Sequence, residues 1–231
     1  GAMVNMYAKC GLIVNAREVF NRIQVRDTVL WNSLMTGYAE HGYSEEMLDC
    51  LEQMHIESTV SDVVTFVCGL KASSDLRDLR KGKEIHAVVQ KKCLEENVLI
   101  GNALVEMYAK CGLLGKASNV FNELPLRNTS TWNVLISGYV KHGYIEDALD
   151  LLDQMHSEGF SPNDISFLFL LKVCGTRAAI DKGQDLHAMI VREGWIEKHN
   201  NIGSALIHMY MKCGYIELGR QIFDDLPNRN L

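Results

Sequence analysis

Apolar residues recur along this chain at helical spacing, and glycines interrupt them at regular points. Trp132, Leu135, Ile136, Tyr139 and Val140 fall at i, i+3, i+4, i+7 and i+8, one stripe on a helix. Gly143 ends that helix, where a left-handed cap favours a residue without Cβ. A second stripe runs through Ile145, Ala148, Leu149, Leu152 and Met155, and Gly159 and Pro162 close it. Ala148 is small where two helices must approach closely. Residues 98–128 follow the same scheme with Leu104, Val105, Tyr108, Gly112, Ala117, Val120, Phe121 and Leu124 before Pro125. Only three prolines occur in the chain and β-branched runs are short, so helix pairs are predicted throughout.

The pattern itself repeats. WNSLMTGYAEHGYSEEMLDCLEQMH starts at Trp31 and returns at Trp132 as WNVLISGYVKHGYIEDALDLLDQMH, an offset of 101. MYAKCG at Met6–Gly11 returns at Met107–Gly112 and, as MYMKCG, at Met209–Gly214. GKEIHAVV at Gly82–Val89 returns as GQDLHAMI at Gly183–Ile190. Each long unit therefore holds three distinct parts. Their bounds are 28–62, 63–97 and 98–128, then 129–163, 164–199 and 200–230, with lengths of 35, 35 and 31, then 35, 36 and 31. Residues 1–27 are the shortened end of an earlier 31-residue part, and Gly1-Ala2-Met3 reads as a scar of tag cleavage. A lone helix pair cannot bury its apolar stripe, and stacking successive pairs can. The expected fold is all-α: a right-handed superhelical solenoid of stacked antiparallel helix pairs, one continuous repeat domain. First helices line one wall and second helices the other, and the concave wall is the natural binding surface.

Composition narrows the chemistry. A hydrophobic content of 47% with 23% charged residues is ordinary for a globular protein. No apolar run is long enough to span a membrane. Net charge is −6, so nucleic-acid binding would need a local basic track on an acidic body. Seven cysteines include no C-x-x-C pair, and Cys10, Cys111 and Cys213 recur in the phrase KCG. They read as small buried residues in a reducing compartment, with no metal or disulfide role.

The phrases TWNVLISGYVKHGYIEDALDLLDQM-x-x-x-G-x-x-PN, NALVEMYAKCG and F-x-x-LP-x-RN resemble the pentatricopeptide repeat family. The ordered triplet of lengths resembles its plant PLS class, in which P, L and S motifs alternate. By that reading 28–62 and 129–163 are P repeats, 63–97 and 164–199 are L repeats, and 98–128 and 200–230 are S repeats, with a truncated S repeat in 1–27. The resemblance covers residues 4–230. It implies single-stranded RNA as partner, one nucleotide per repeat, and targeting of C-to-U editing in mitochondrial or chloroplast transcripts.

The family carries its code on the fifth and last residues of a repeat. These are Asn32 with Asp62, Asn102 with Asn128, Asn133 with Asn163, and Ser204 with Asn230, and more weakly in the L repeats Val67 with Asn97 and Leu168 with His199. The implied target is 5′-U-x-C-(C/U)-x-A-3′. Residues at the second position sandwich the bases: Val29, Val64, Leu99 and Ile165, with Ser130 and Asn201 departing from the apolar pattern. Lys110, Lys141 and Lys212, together with Lys9, share repeat position thirteen and are candidates for phosphate contacts. A protein of the multiple-organellar-RNA-editing-factor type is a further expected partner, docking on the L repeats. Uncapped end repeats are expected to favour self-association.

Each feature also has a structural interpretation. Asn32, Asn102 and Asn133 could cap helices, and the position-thirteen lysines could complement helix C-termini. Trp31 and Trp132 lie on the apolar stripe and are expected in the core, and His86 and His187 between helices. H-x-E, part of the zinc deaminase signature, occurs as His55-Ile56-Glu57 and His156-Ser157-Glu158, but no C-x-x-C completes it. Both are expected on second-helix surfaces. The chain is therefore not expected to be an enzyme or to hold a cofactor. A uniform period of 34, the mark of peptide-binding tetratricopeptide repeats, is absent, which leaves a protein-docking scaffold as the alternative function.

Overall fold

Among the described residues, six helices start where an Asp or Asn side chain meets free backbone amides, and four of these six end in a left-handed residue. The computed structural model describes residues 1–226, and among these every regular element is a helix. The chain divides into two compact units, Gly1–Arg127 and Asn128–Leu231. The first holds α1 (Ala2–Lys9), α2 (Ile13–Asn21), α3 (Thr28–His41), α4 (Ser44–Ile56), α5 (Val63–Leu76), α6 (Leu79–Lys91), α7 (Val98–Lys110) and α8 (Leu114–Glu123). The second holds α9 (Thr129–His142), α10 (Ile145–Ser157), α11 (Asp164–Arg177), α12 (Ile180–Arg192), α13 (Trp195–Lys198), α14 (Asn200–Lys212) and α15 (Ile216–Asp225). Ala2 and Met3 form the first turn of α1.

Within the first unit α1 packs on α3, α3 on α5 and α5 on α7, while α2, α4 and α6 each lean on their own first helix and the next one, and α8 leans on α7. The second helices stand further apart: α4 and α6 meet through long side chains, as in the Lys81–Glu52 ion pair at 2.6 Å. In the second unit α9 packs on α11 and α11 on α14. The close approach of first helices needs small residues. A Cβ on Gly37 would lie 2.3 Å from the Ala8 Cβ, so only glycine lets α3 meet α1 at this distance.

Trp31 and Trp132 are fully buried. Trp31 meets Phe20 edge-to-face at 4.5 Å, and Trp132 faces Phe160 at 6.4 Å. Each such ring withdraws roughly 200 Å² from water, worth about 5 kcal/mol before entropy is counted. His86 and His187 recur in a common contact, placing Nδ1 at 2.8 Å and 3.0 Å from the hydroxyls of Tyr108 and Tyr210. They join α6 to α7 and α12 to α14, and burial pushes both imidazole pKa values down.

The expectation that the KCG cysteines are buried is corrected. Cys10 is exposed, and Cys111 and Cys213 are half-buried. All three are the C-cap residues of α1, α7 and α14, at the point where the helix leaves the core. His55, Glu57, His156 and Glu158 lie exposed at the ends of α4 and α10.

Candidate nucleic-acid interface

The exposed side of the first helices carries most of the residues singled out in the sequence. Val29 is 69% exposed, Leu99 60%, Ile165 49% and Val64 43%, each in the first turn of its helix. These are apolar side chains held in solvent at one recurring helical position. Ser130 and Asn201 are also exposed at that position, and Asn201 Nδ2 lies 3.5 Å from the Asp164 carboxylate.

Asn32 sits in the second turn of α3, behind Val29, and is half-buried. Its Nδ2 donates to both oxygens of Asp62, at 2.9 and 3.0 Å. Its Oδ1 accepts from the Thr65 hydroxyl at 2.8 Å. Asp62 is at the same time the N-cap of α5: it accepts from the Thr65 backbone amide at 3.0 Å, and its own amide donates to Thr65 Oγ1 at 3.2 Å. Burial works to raise the Asp62 pKa, but the bonds from the Thr65 amide, the Asn32 amide and the Thr65 hydroxyl outweigh it and hold the carboxyl below its ordinary value. The group is an anion at neutral pH, with some acceptor capacity left facing solvent.

Asn133 and Asn163 repeat the cap and the hydroxyl bridge of this arrangement in the second unit. Asn163 caps α11, accepting from the Ser166 amide at 3.1 Å, and the Ser166 hydroxyl donates to Asn133 Oδ1. The capping role considered for Asn32, Asn102 and Asn133 belongs instead to the last residue of the preceding part. Asp27, Asp62, Asn97, Asn128 and Asn163 cap α3, α5, α7, α9 and α11. Asn102 is half-buried on α7 in the first unit, and Asn128 caps α9 in the second, taking the Thr131 amide at 3.0 Å.

The Val67–Asn97 and Leu168–His199 pairs are built differently. Val67 brings no polar atom, and Asn97 spends its carbonyl on the Leu99 and Ile100 amides, at 3.0 and 3.3 Å. Leu168 is half-buried, and His199 precedes α14 without a side-chain cap, its ring stacked on Trp195 at 4.6 Å. Ser204 is half-buried on α14, and Asn230 lies outside the described residues.

The position-thirteen lysines are not equivalent. Lys9, Lys141 and Lys212 are exposed in the last turns of α1, α9 and α14, with Lys141 Nζ 5.9 Å from the Phe169 ring centre. Lys110 is held by Asp75 at 2.7 Å and Glu106 at 2.8 Å. Burial opposes its charge, but these carboxylates outweigh it and raise its pKa. Its charge is thus shared with two carboxylates within the protein. The sequence reading missed the hydroxyls of Thr65 and Ser166. The signal available was an Asp or Asn cap followed three residues later by Thr or Ser, a short-armed form of the capping box.

Helix pairs stacked in series, with capped first helices presenting paired amides and apolar ledges, define an α-helical repeat protein. The model of the PPR repeat family matches residues 127–176, and the PPR repeat itself matches 1–27, 29–57, 102–128 and 204–231, together more than half of the chain. The chain belongs to the pentatricopeptide repeat family. It is 36% identical over its full length to the pentatricopeptide repeat-containing protein At4g18520, chloroplastic, of Arabidopsis thaliana, covering 37% of that protein. It is 34% identical to At3g09040, mitochondrial, of the same plant, over 98% of this chain and 22% of the relative. The chain thus spans about a third or less of the length of these relatives. Among solved structures, maize PPR10 superposes with a TM-score of 0.77 at 20% identity, covering 98% of this chain and 34% of PPR10, which shows the solenoid fold. PPR10 in complex with an 18-nt psaJ RNA element superposes with a TM-score of 0.58 at 16% identity, over 95% of this chain and 38% of that one.

Proposed function

We propose that this chain is a sequence-specific, single-stranded RNA-binding segment of the PLS class, reading 5′-U-x-C-(C/U)-x-A-3′ and serving as a targeting module for C-to-U editing of organellar transcripts. The observation that carries the reading is the Asn32–Asp62 pair, a fixed amide beside a carboxylate, flanked by the exposed Val29 and Val64. A base held between two such ledges would present its Watson–Crick edge to the amide, and the capping residue would tune which edge is accepted. The RNA bound by PPR10 supports the same use of the fold here. Chloroplastic and mitochondrial names among the relatives support an organellar location. Phosphate contacts fall to Lys110, Lys141 and Lys212, together with Lys9, few enough that the salt dependence is expected to be shallow.

The test is fluorescence anisotropy of a labelled RNA carrying UNCYNA in an inert flank, with each coded base swapped in turn at two salt concentrations. Losses confined to the U, C, Y and A positions are expected. Binding that is absent or indifferent to sequence would overturn the reading.

A second reading, docking of a protein cofactor on the L repeats, is favoured by a cleft of about 410 Å³ between α4 and α6. Leu51, Ile56, Phe66, Ile85 and Val88 line it, with Lys81 at its edge. Val88→Glu is expected to abolish capture of an editing-factor-type partner while leaving RNA binding unchanged. Unchanged capture would count against docking there.

A further inference from the structure

We propose that Thr65 and Ser166 are positioning residues for base recognition: their hydroxyls lock the amides of Asn32 and Asn133 with oxygen inward, so that the amide nitrogen is the atom offered to RNA. The inference rests on the RNA-binding reading above and concerns residues outside the fifth-and-last pair.

Thr65 is fully buried at the third residue of α5. Its Oγ1 accepts from the Asp62 backbone amide at 3.2 Å, which leaves one hydroxyl proton to give. Asn32 Oδ1 lies 2.8 Å away and an Asp62 oxygen 3.0 Å away. Turning the Asn32 amide over would set its oxygen against the Asp62 carboxylate and leave the Thr65 proton facing an NH₂ group. The orientation is therefore determined twice, by an anion and by a hydroxyl. In the second unit the capping residue is the neutral Asn163, and Ser166 alone orients Asn133 among the bonds described.

The sequence follows the same logic. A hydroxyl stands at the third residue after each part with an asparagine at its fifth position: Thr65 follows Asn32, Thr131 follows Asn102, and Ser166 follows Asn133. Where the fifth residue is Val67 or Leu168, the third residue of the next part is Ile100 or Ile202, both fully buried. Helix capping alone does not explain this split, because α7 follows an Asn cap and yet carries Ile100. In the sequence the hydroxyl goes with the fifth-position asparagine, and in the structure it also reaches the cap, at 3.0 Å from Asp62, 3.1 Å from Asn128 and 3.1 Å from Asn163.

Three variants test this in the full chain: Thr65→Val, which keeps the shape, Thr65→Ser, which restores the hydroxyl, and Ser166→Ala. The readout is the ratio of affinities for RNAs differing only in the base facing the altered pair, with the Asn32 side-chain ¹⁵N–¹H resonances followed alongside. The wild type is expected to prefer U over C at the first coded base about tenfold, as a good bidentate contact does. Thr65→Val is expected to bring that ratio within about twofold, with the other coded bases unaffected and the Asn32 amide resonances shifted, and Thr65→Ser to restore both. Ser166→Ala is expected to relax pyrimidine-over-purine preference at the fourth base, and it carries the test if Thr65→Val fails to fold. A purely structural hydroxyl would lower the affinity for all RNAs alike and keep the ratios, and that result would overturn the proposal. Unchanged ratios in folded Thr65→Val and Ser166→Ala would do the same with the RNA reading intact, whereas a wild type indifferent to sequence would overturn the reading and this inference together.

Discussion

In the first unit, two neighbouring junctions between first helices each carry a side-chain cap and differ in the layer next to it. Where α3 meets α5, Asp62 caps the helix, Asn32 reaches the cap, and Thr65 bonds both. Where α5 meets α7, Asn97 caps just as well, but Val67 and Ile100 replace the amide and the hydroxyl. The capping bond is thus common to the scaffold, and the polar apparatus is added only at some junctions. The helix ends differ in the same sense. The first helices α3 and α9 stop at Gly42 and Gly143, with φ of 78° and 84°, whereas α5 and α11 stop at Arg77 and Ala178, forced to φ of 54° and 53°. The α5 and α11 ends thus tolerate a strained residue where the α3 and α9 ends use glycine.

The strongest way to break the comparison is to attack the scaffold itself. Leu135→Asp places an unpaired charge in the core of the second unit and is expected to cost about 5 kcal/mol, with loss of helical circular dichroism and of binding at every base. Asn133→Ala, two residues earlier on the same helix, is expected to leave the melting temperature nearly unchanged and to cost about 1–3 kcal/mol of binding at one base only. A uniform loss across bases would mean that Asn133 does not read.

Removing the caps sharpens the contrast between the two junctions. Asp62→Ala and Asn97→Ala are each expected to lower stability by about 1 kcal/mol in thermal or denaturant unfolding. Only Asp62→Ala is expected to change base preference. Equal effects on RNA selectivity would erase the distinction drawn here.

The converse is to build the missing layer. Val67→Asn with Ile100→Thr is expected to create a preference of about fivefold at the second base, near 1 kcal/mol, whereas Val67→Asn alone is expected to give little. Anisotropy with the second base varied decides between them.

The smallest expected effect is on pH dependence. Burial lowers the His86 and His187 pKa values below the ordinary 6.5. The unfolded chain therefore takes up protons first as pH falls, and stability is full above about 6.5 and declines below it. His86→Gln with His187→Gln is expected to flatten the melting-temperature profile between pH 7 and 5. An unchanged slope would place the acid sensitivity elsewhere.

Much of this protein was legible in its sequence, because a helix writes its signal locally. Apolar spacing and glycine marked the paired helices, and the repeated phrases marked the unit that stacks. The second-position residues were named from the family resemblance, and the structure places Val29, Leu99 and Ile165 in solvent, off the buried stripes of their helices. What only the tertiary structure decided are the meetings between parts. Asn32 finds Asp62 at a separation of 30 residues and Thr65 at 33, and Lys110 finds Asp75 at 35. The cysteines of KCG looked buried by residue type, but their exposure depends on where α1, α7 and α14 leave the core. The physical reason is one of range. Periodicity and capping preference act within a turn or two of chain, whereas a side chain's partner across the stack depends on the register and spacing at which one helix settles against the next.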